Sequence, residues 1–208
     1  MDIKKIYNED CLKAMKEMKD NQFDLAIVDP PYMNNNIGLQ SNGIKRTKFH
    51  LETFIKPNKD YFKELFRVSK NQIIWGGNYF TNDLPESRGW ICWDKIEHGK
   101  NFSKFELAWT SFDKIAEIFR QNNHGGFVAK GINKKIHPTQ KHIKLYEWLL
   151  MNYAKEGDKI LDTHLGSGSI ALACHNLGFD LTACELDKEY YNAAIKRIEQ
   201  HKAQIRMF

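Results

Sequence analysis

Apolar residues in this chain of 208 residues occur either in short unbroken runs or at the spacing of amphipathic helices. The clearest run is Leu25-Ala26-Ile27-Val28, which polar residues bound on both sides. An unbroken apolar run of this length is typical of a strand that is covered on both faces of a sheet. We therefore predict a buried strand over residues 24–28.

The last third of the chain has the most regular pattern. A strand over 159–162 is predicted to lead through a glycine-rich turn into a helix that ends at Gly178, where a C′ glycine belongs. A second strand over 180–185 and a closing helix around 191–198 follow. This β-α-β-α order predicts an α/β fold with a mostly parallel central sheet and helices on both of its faces.

Shorter patterns predict the remaining elements. Asp10 is the expected N-cap of a first helix, and Asp60 is the expected N-cap of a second. The other predictions are a first helix over 11–18, strands over 72–75, 89–93 and 105–109, an undecided segment over 114–120, and a helix after Thr139.

Length and composition are those of one soluble globular domain spanning 1–208. No window approaches the run of about 18 apolar residues that a membrane span needs, and residues 1–10 are polar, so we expect neither an anchor nor a secretory signal. The 4 cysteines form no Cys-x-x-Cys pair, which argues against a zinc site and a disulfide framework. We expect a cytoplasmic protein without a metal, and its net charge of +5 points towards polyanionic partners.

The first predicted strand ends at Asp29-Pro30-Pro31-Tyr32. The two prolines lack N–H donors and have a fixed φ, so this segment can neither extend the sheet nor freely begin a helix. A rigid carboxylate and phenol at the carboxyl end of a strand stand where ligands bind in open α/β sheets. A strand ending in a polyproline turn with a packed tyrosine has the same pattern, so this motif alone leaves a structural role open.

A second motif follows the strand predicted over 159–162. Residues 161–169 read Leu-Asp-Thr-His-Leu-Gly-Ser-Gly-Ser, and Gly166 and Gly168 allow a ligand to approach the backbone closely. Glu185 stands at the end of the next strand, where nucleotide-binding folds place an acid that accepts ribose hydroxyls. The turn lacks the third glycine of a dinucleotide site and the Gly-Lys of a P-loop. The predicted ligand is therefore a nucleoside derivative without a pyrophosphate, and S-adenosylmethionine fits this description.

The two motifs together resemble those of the DNA amino-methyltransferases. In that family a motif (Asp/Asn/Ser)-Pro-Pro-(Tyr/Phe) carries the chemistry, and a glycine turn binds the cofactor. The catalytic motif comes first here, as in the circularly permuted β group. The further matches are Asp10-Cys11, Ile74-Trp75-Gly76-Gly77-Asn78 and His137-Pro138-Thr139-Gln140-Lys141. The resemblance covers most of the chain and implies a Rossmann-like methyltransferase fold.

Two positions depart from the family pattern. Asp162-Thr163-His164 stands where the family usually has Asp-Pro-Phe, and His142 stands where it usually has proline. Neither change removes a side chain that the chemistry requires. We expect His164 to pack in place of the missing aromatic ring rather than to bind a metal or carry a proton.

The resemblance implies methyl transfer from S-adenosylmethionine to N6 of a flipped adenine in DNA. Asp29 and the Pro30 carbonyl would accept the N–H bonds of the amino group, Pro31 would help to fix that carbonyl, and Tyr32 would stack on the base. Residues expected at the cofactor are Asp10, Cys11, Asp29, His137, Thr139, Lys141, Asp162, Leu165, Gly166, Ser167, Gly168, Ser169 and Glu185.

Several alternatives stay open within this resemblance. Asp29 favours adenine, but N4 of cytosine is a second target class, followed by RNA or protein methylation and by an inactive DNA-binding regulator. A restriction-modification setting is implied, although nothing in the chain identifies a companion endonuclease.

Recognition of double-stranded DNA is expected from residues 33–58 and 95–135, which hold the irregular and basic stretches. Because no discrete recognition domain is present, we expect a short site, loose specificity, or a homodimer whose second protomer shares the duplex. The residues expected to hold phosphates are Lys45, Arg46, Lys48, Lys130, Lys134 and Lys135.

Overall fold

The structure is a computed structural model that describes residues 5–32, 55–96, 103–121 and 136–205. The helices are α1 (Cys11–Glu17), α2 (Lys59–Val68), α3 (Ile143–Tyr153), α4 (Ser169–Leu177) and α5 (Lys188–Ile205). The strands are β1 (Ile6–Tyr7), β2 (Phe23–Val28), β3 (Ser69–Trp75), β4 (Trp90–Asp94), β5 (Phe105–Thr110), β6 (Glu117–Arg120), β7 (Lys159–Asp162) and β8 (Asp180–Cys184). A short 3-10 helix, Gly77–Tyr79, follows β3. None of the described helices combines the length and the apolar character that crossing a bilayer requires.

The strands of the described part form one sheet in the order β1-β8-β7-β2-β3-β5-β4-β6. In this order, every strand from β1 through β8, β7 and β2 to β3 is parallel to the next. Strand β5 is antiparallel to both β3 and β4, and β6 is parallel to β4. The carboxyl ends of β2, β3, β4, β7 and β8 therefore lie at one end of the sheet, together with the amino end of β5. The predicted α/β fold with a mostly parallel sheet is confirmed.

Strand β2 is buried on both faces, as its unbroken apolar run predicts. Leu25 and Ile27 pack in one core cluster with residues of α3, α4 and α5. Ala26 and Val28 pack on the opposite face with residues of α1 and α2. The helices on both faces thus hold β2 at the centre of the molecule and fix the position of the residues that follow it.

Several element ends differ from the sequence-based predictions. The N-cap of α2 is Asn58, whose side-chain oxygen accepts the Tyr61 N–H at 3.1 Å, and Asp60 lies inside the first turn. The prediction of Asp60 as the cap was wrong because asparagine and aspartate cap equally well and stand only two residues apart. The helix expected after Thr139 begins at Ile143, and the two-residue strand β1 had no recognisable pattern.

The range 95–135, in which we expected DNA-contacting loops or a small insertion, also contains part of the central sheet. Strand β5 and the edge strand β6 both lie within it. Any insertion in this range is therefore shorter than the full 95–135 segment.

Candidate active site

Asp29 follows the last residue of β2 at the carboxyl end of the sheet. Its two carboxylate oxygens have different partners. The Lys141 ammonium lies 2.6 Å from Oδ2, and the Tyr32 hydroxyl donates to Oδ1 at 2.5 Å. Because Pro30 and Pro31 restrict the backbone between them, the carboxylate and the phenol are held in a fixed relation. Asp-Pro-Pro-Tyr therefore presents a carboxylate at the end of the sheet, as predicted.

The Tyr32 ring lies against the turn that follows β3. It stacks on Tyr79 with ring centroids 5.1 Å apart and an angle of 10° between the planes, and Phe80 meets it edge-on. Gly76 has a φ of +67°, and a Cβ atom at this position would lie only 2.1 Å from Cε1 of Tyr32. The glycine thus makes room for the ring. From the sequence, residues 74–78 match a family segment at a strand end, and the contact with Tyr32 was not predicted.

The glycine-rich turn joins β7 to α4 and faces the acid that follows β8. Gly166 and Gly168 have φ values of +52° and +73°, in the left-handed region that favours glycine. The Glu185 carboxylate accepts the backbone N–H of Gly166 at 2.8 Å and that of Asp187 at 2.9 Å. The predicted pairing of a glycine turn with an acid at the next strand end is present in the structure.

Lys141 joins the two motifs. Its side chain pairs with Asp29, while its backbone carbonyl accepts the Ser169 hydroxyl at 2.7 Å, where the glycine turn enters α4. Asp-Pro-Pro-Tyr and the glycine turn are far apart in the chain, and Lys141, which lies between them in sequence, contacts both and so links them in space.

Two charged residues beside Lys141 were missed by sequence reasoning. Glu106 Oε2 lies 3.1 Å from the Lys141 ammonium, and Glu106 Oε1 lies 2.7 Å from the ammonium of Lys95. Glu106 is near the amino end of β5 and Lys95 directly follows β4, so the antiparallel pairing of these strands brings both to the carboxyl end of the sheet. Only the strand order could have revealed this, since neither residue belongs to a motif with a recognisable spacing.

These neighbours keep the buried groups charged. Burial alone would lower the pKa of Lys141, but Asp29 and Glu106 outweigh that effect and hold the pKa above its ordinary value. Burial would likewise raise the pKa of Glu106, but Lys141 and Lys95 lower it to about 2. Lys141 and Glu106 are therefore both charged at neutral pH.

Asp162 and His164 are kept neutral by burial. Burial is the main cause that raises the pKa of Asp162 to about 8, although its carboxyl oxygen accepts the backbone N–H of His164 at 2.9 Å, which lowers the pKa. Burial lowers the pKa of His164 to about 4. The His164 ring packs edge-on against Tyr61, and the Thr163 hydroxyl lies 2.8 Å from its Nδ1. His164 therefore packs as a neutral aromatic residue, which is how we expected it to replace the family's phenylalanine.

The sequence of this chain is similar to those of known DNA methyltransferases. The family model for DNA methylases of the N6 and N4 type matches residues 95–196, about half of the chain. The type II methyltransferase M.HpaI of Haemophilus parainfluenzae is 26% identical over 91% of this chain and 72% of its own length. M2.DpnII of Streptococcus pneumoniae, also a type II methyltransferase, is 25% identical over 93% of this chain and 89% of its own length.

The chain belongs to the DNA amino-methyltransferases.

Solved structures share the fold of this methyltransferase. The complex of M1.HpyAVI with S-adenosylmethionine (SAM) has a TM-score of 0.59 at 23% identity, covering 92% of this chain and 98% of that one. The cytosine-N4-specific PvuII DNA methyltransferase has a TM-score of 0.61 at 13% identity, covering 96% of this chain and 91% of that one. The fold is that of S-adenosylmethionine-dependent methyltransferases.

The residues around the glycine turn of this methyltransferase fit S-adenosylmethionine. Each Glu185 oxygen accepts one backbone N–H and keeps a lone pair, which suits ribose hydroxyls. The Tyr190 hydroxyl is buried and has no hydrogen-bond partner within the described ranges. The Tyr190 ring lies 4.5 Å from that of His137, whose Nδ1 would in turn be 3.4 Å from a Cβ at Gly166. A buried hydroxyl without a partner in this region is one that a polar group of a ligand could satisfy.

Other residues expected at the cofactor have partners within the protein. The Asp10 side chain accepts the Lys13 N–H as the cap of α1, and the Cys11 sulfur lies 4.0 Å from Nε2 of His164. Leu165 packs into the core, and the Ser167 hydroxyl lies 3.1 Å from that of Ser169. The Thr139 hydroxyl lies 3.1 Å from Nδ1 of His137, so this pair forms a local turn.

Arg197 is a further residue at the turn that sequence reasoning missed. Its guanidinium donates to the Ser167 carbonyl at 2.8 Å and to the Ser169 hydroxyl at 3.0 Å. The residues expected to hold DNA phosphates lie outside the described residues: Lys45, Arg46, Lys48, Lys130, Lys134 and Lys135.

Proposed function

We propose that this methyltransferase transfers a methyl group to N6 of adenine in double-stranded DNA after the base has flipped out of the helix. The observation that carries the proposal is the position of Lys141, which pairs with Asp29 at 2.6 Å and accepts a hydrogen bond from Ser169 at 2.7 Å. A carboxylate at the end of β2 is thereby held beside the turn that fits the cofactor.

Asp29 would orient the amino group of the base. The lone pair of an exocyclic amino group is delocalised into the ring, so the group is a poor nucleophile unless its N–H bonds are held. Asp29 Oδ1 and the Pro30 carbonyl would accept these N–H bonds, and Pro31 helps to fix the direction of that carbonyl. Tyr32 would stack on the flipped ring. S-Adenosylmethionine supplies an electrophilic methyl group on its sulfonium.

The choice between adenine and cytosine as the target base rests on Asp29. Asp29 at the first position of the motif favours adenine by resemblance to the family. The cytosine-N4-specific PvuII enzyme has the same fold, so the fold supports either amine. N4 of cytosine is therefore the second candidate.

Nucleoside analysis of methylated DNA tests this choice. Duplex DNA incubated with the protein and S-adenosylmethionine is digested to nucleosides, which are separated and weighed by mass spectrometry. We expect N6-methyladenine, whereas N4-methylcytosine without N6-methyladenine would overturn the adenine assignment. Single-stranded DNA, RNA and protein offered in parallel should accept far less methyl than duplex DNA.

Support for the DNA contacts comes from charge. The chain carries a net charge of +5, and its clustered lysines stand in the segments 33–58 and 95–135. We propose that these segments hold the phosphates and read a short sequence, alone or with a second protomer on the same duplex. Modification of host DNA in a restriction-modification setting is the corresponding biological role.

A further inference from the structure

Four charged side chains of alternating sign form a row at the carboxyl end of the sheet, in the order Asp29, Lys141, Glu106 and Lys95. Successive partners are separated by 2.6 Å, 3.1 Å and 2.7 Å. The side chain of Lys141 is 3% exposed and that of Lys95 is 9% exposed, so both ammonium groups have left water. We call these four residues the charge row.

The ammonium groups of both lysines in the charge row also lie against indole rings. The Lys141 ammonium lies 5.3 Å from the centre of the Trp75 ring, and the Lys95 ammonium lies at the same distance, 5.3 Å, from Trp93. The two rings meet edge-on, and both are almost fully buried. Aromatic faces attract cations, so each lysine is held between a carboxylate and an indole in one position.

The charge row occupies one of the two carboxylate oxygens of Asp29. Lys141 is shared between two carboxylates: it lies 2.6 Å from Oδ2 of Asp29 and 3.1 Å from Oε2 of Glu106, so its charge is divided between them. Without the charge on Glu106, the ammonium would keep Asp29 as its single counter-ion in the charge row. It would then draw electron density from both oxygens and weaken them as acceptors of N–H bonds.

We propose that Glu106 is a positioning residue for methyl transfer, acting through Lys141 on Asp29, and that Lys95 holds Glu106 in place. The inference rests on the proposed role of Asp29. Glu106 lies in β5, outside all of the sequence motifs, so the inference adds this strand to the active site.

The variant Glu106→Gln tests this inference. It keeps the shape of the side chain and removes its charge. We expect kcat for duplex DNA to fall about 10- to 100-fold, because a small displacement of a reacting group is enough for such a loss. The KM for DNA and the Kd for S-adenosylmethionine should stay within about 3-fold, since Glu106 touches neither ligand in this account. Glu106→Asp, which keeps the charge, should recover part of kcat.

Two further variants complete the test. Glu117→Gln makes the same chemical change on β6, away from Lys141, and should behave as the unaltered protein. Lys95→Met keeps both carboxylates and should lower kcat less than Glu106→Gln does. If Glu106→Gln does not fold, Lys95→Met is the test: a kcat below that of the unaltered protein supports the inference, and an unaltered kcat overturns it.

The outcomes separate this inference from the proposed function. If Asp29→Ala is inactive but Glu106→Gln has unaltered kcat, only the role of Glu106 is overturned. If Glu106→Gln lowers kcat, DNA affinity and cofactor affinity in the same proportion as it lowers thermal stability, a purely structural role replaces the positioning role. If Asp29→Ala is active, the proposed function itself is wrong.

Discussion

Each oxygen of Asp29 has a partner within the protein, and in the proposed function only one of the two partners has to be displaced when substrate binds. Lys141 can stay on Oδ2, but the Tyr32 hydroxyl must leave Oδ1 before the amino group of a base can bind there. The ring of Tyr32 and its hydroxyl therefore have separable roles. In the proposed function the ring stacks on the base, and the hydroxyl competes with the substrate.

Substitution of Tyr32 separates these roles. We expect Tyr32→Phe to keep single-turnover methyl transfer within a few-fold of the unaltered protein, because the stacking surface remains and Oδ1 becomes free. Tyr32→Ala should lose about 5- to 150-fold, since base stacking contributes about 1–3 kcal/mol. Equal losses in both variants would show that the hydroxyl, and not the ring, carries the function.

His164 gives a prediction about pH. Its pKa is about 4 in the folded protein against an ordinary value of 6.5, so the unfolded chain binds more protons between these pH values. Stability from this residue is therefore lost as pH falls from about 6.5 to about 4. His164→Phe keeps an aromatic ring and removes the titration.

Chemical denaturation of both proteins at several pH values measures this effect. Relative to the His164→Phe variant, the unaltered protein should lose roughly 1–3 kcal/mol of its free energy of unfolding across that range. A difference between the two proteins that is constant with pH would contradict the prediction.

At the scale of elements, the turn after β3 is where glycine is required for a specific contact. Gly76→Ala puts a Cβ atom 2.1 Å from Tyr32 at a φ of +67°. Gly157→Ala is a matched control, because Gly157 has a φ of +85° and nothing within 4 Å of its Cβ position. Both variants should lose about 1–2 kcal/mol from the left-handed backbone.

The two glycine variants should differ in activity. Only Gly76→Ala should displace Tyr32, and we expect it to lower the rate of methyl transfer at least about 10-fold. Thermal unfolding and methyl-transfer rates measured together separate strain from displacement. A Gly157→Ala variant that is equally inactive would show that strain alone explains the loss.

The elements that sequence predicted well are those with local signals. Strand β2 has an unbroken apolar run, and the turn between β7 and α4 has its glycines and an acid at the end of the next strand. Strand β1 is too short to have a period, and the contribution of Glu106 depends on β5 running antiparallel beside β3. Long-range strand order is set by packing of whole layers, which a single sequence pattern does not encode.

At the scale of the whole molecule, the sheet gathers residues from distant parts of the chain at one end. Asp29 follows β2, Lys141 precedes α3, and Glu185 follows β8. This arrangement explains why the circularly permuted order of motifs is compatible with one active site. What matters is the carboxyl end of the sheet, and not the order in which the chain visits it.

The most direct test of the account is methyl transfer by Asp29→Ala. Glu106 still pairs with Lys141 in this variant, so the buried ammonium keeps a counter-ion and the fold should persist. We predict that the single-turnover rate on duplex DNA falls at least about 100-fold while S-adenosylmethionine binding stays measurable. Asp113→Ala, which removes an exposed carboxylate elsewhere, should keep full activity. Methyl transfer by Asp29→Ala at the rate of the unaltered protein would contradict the account.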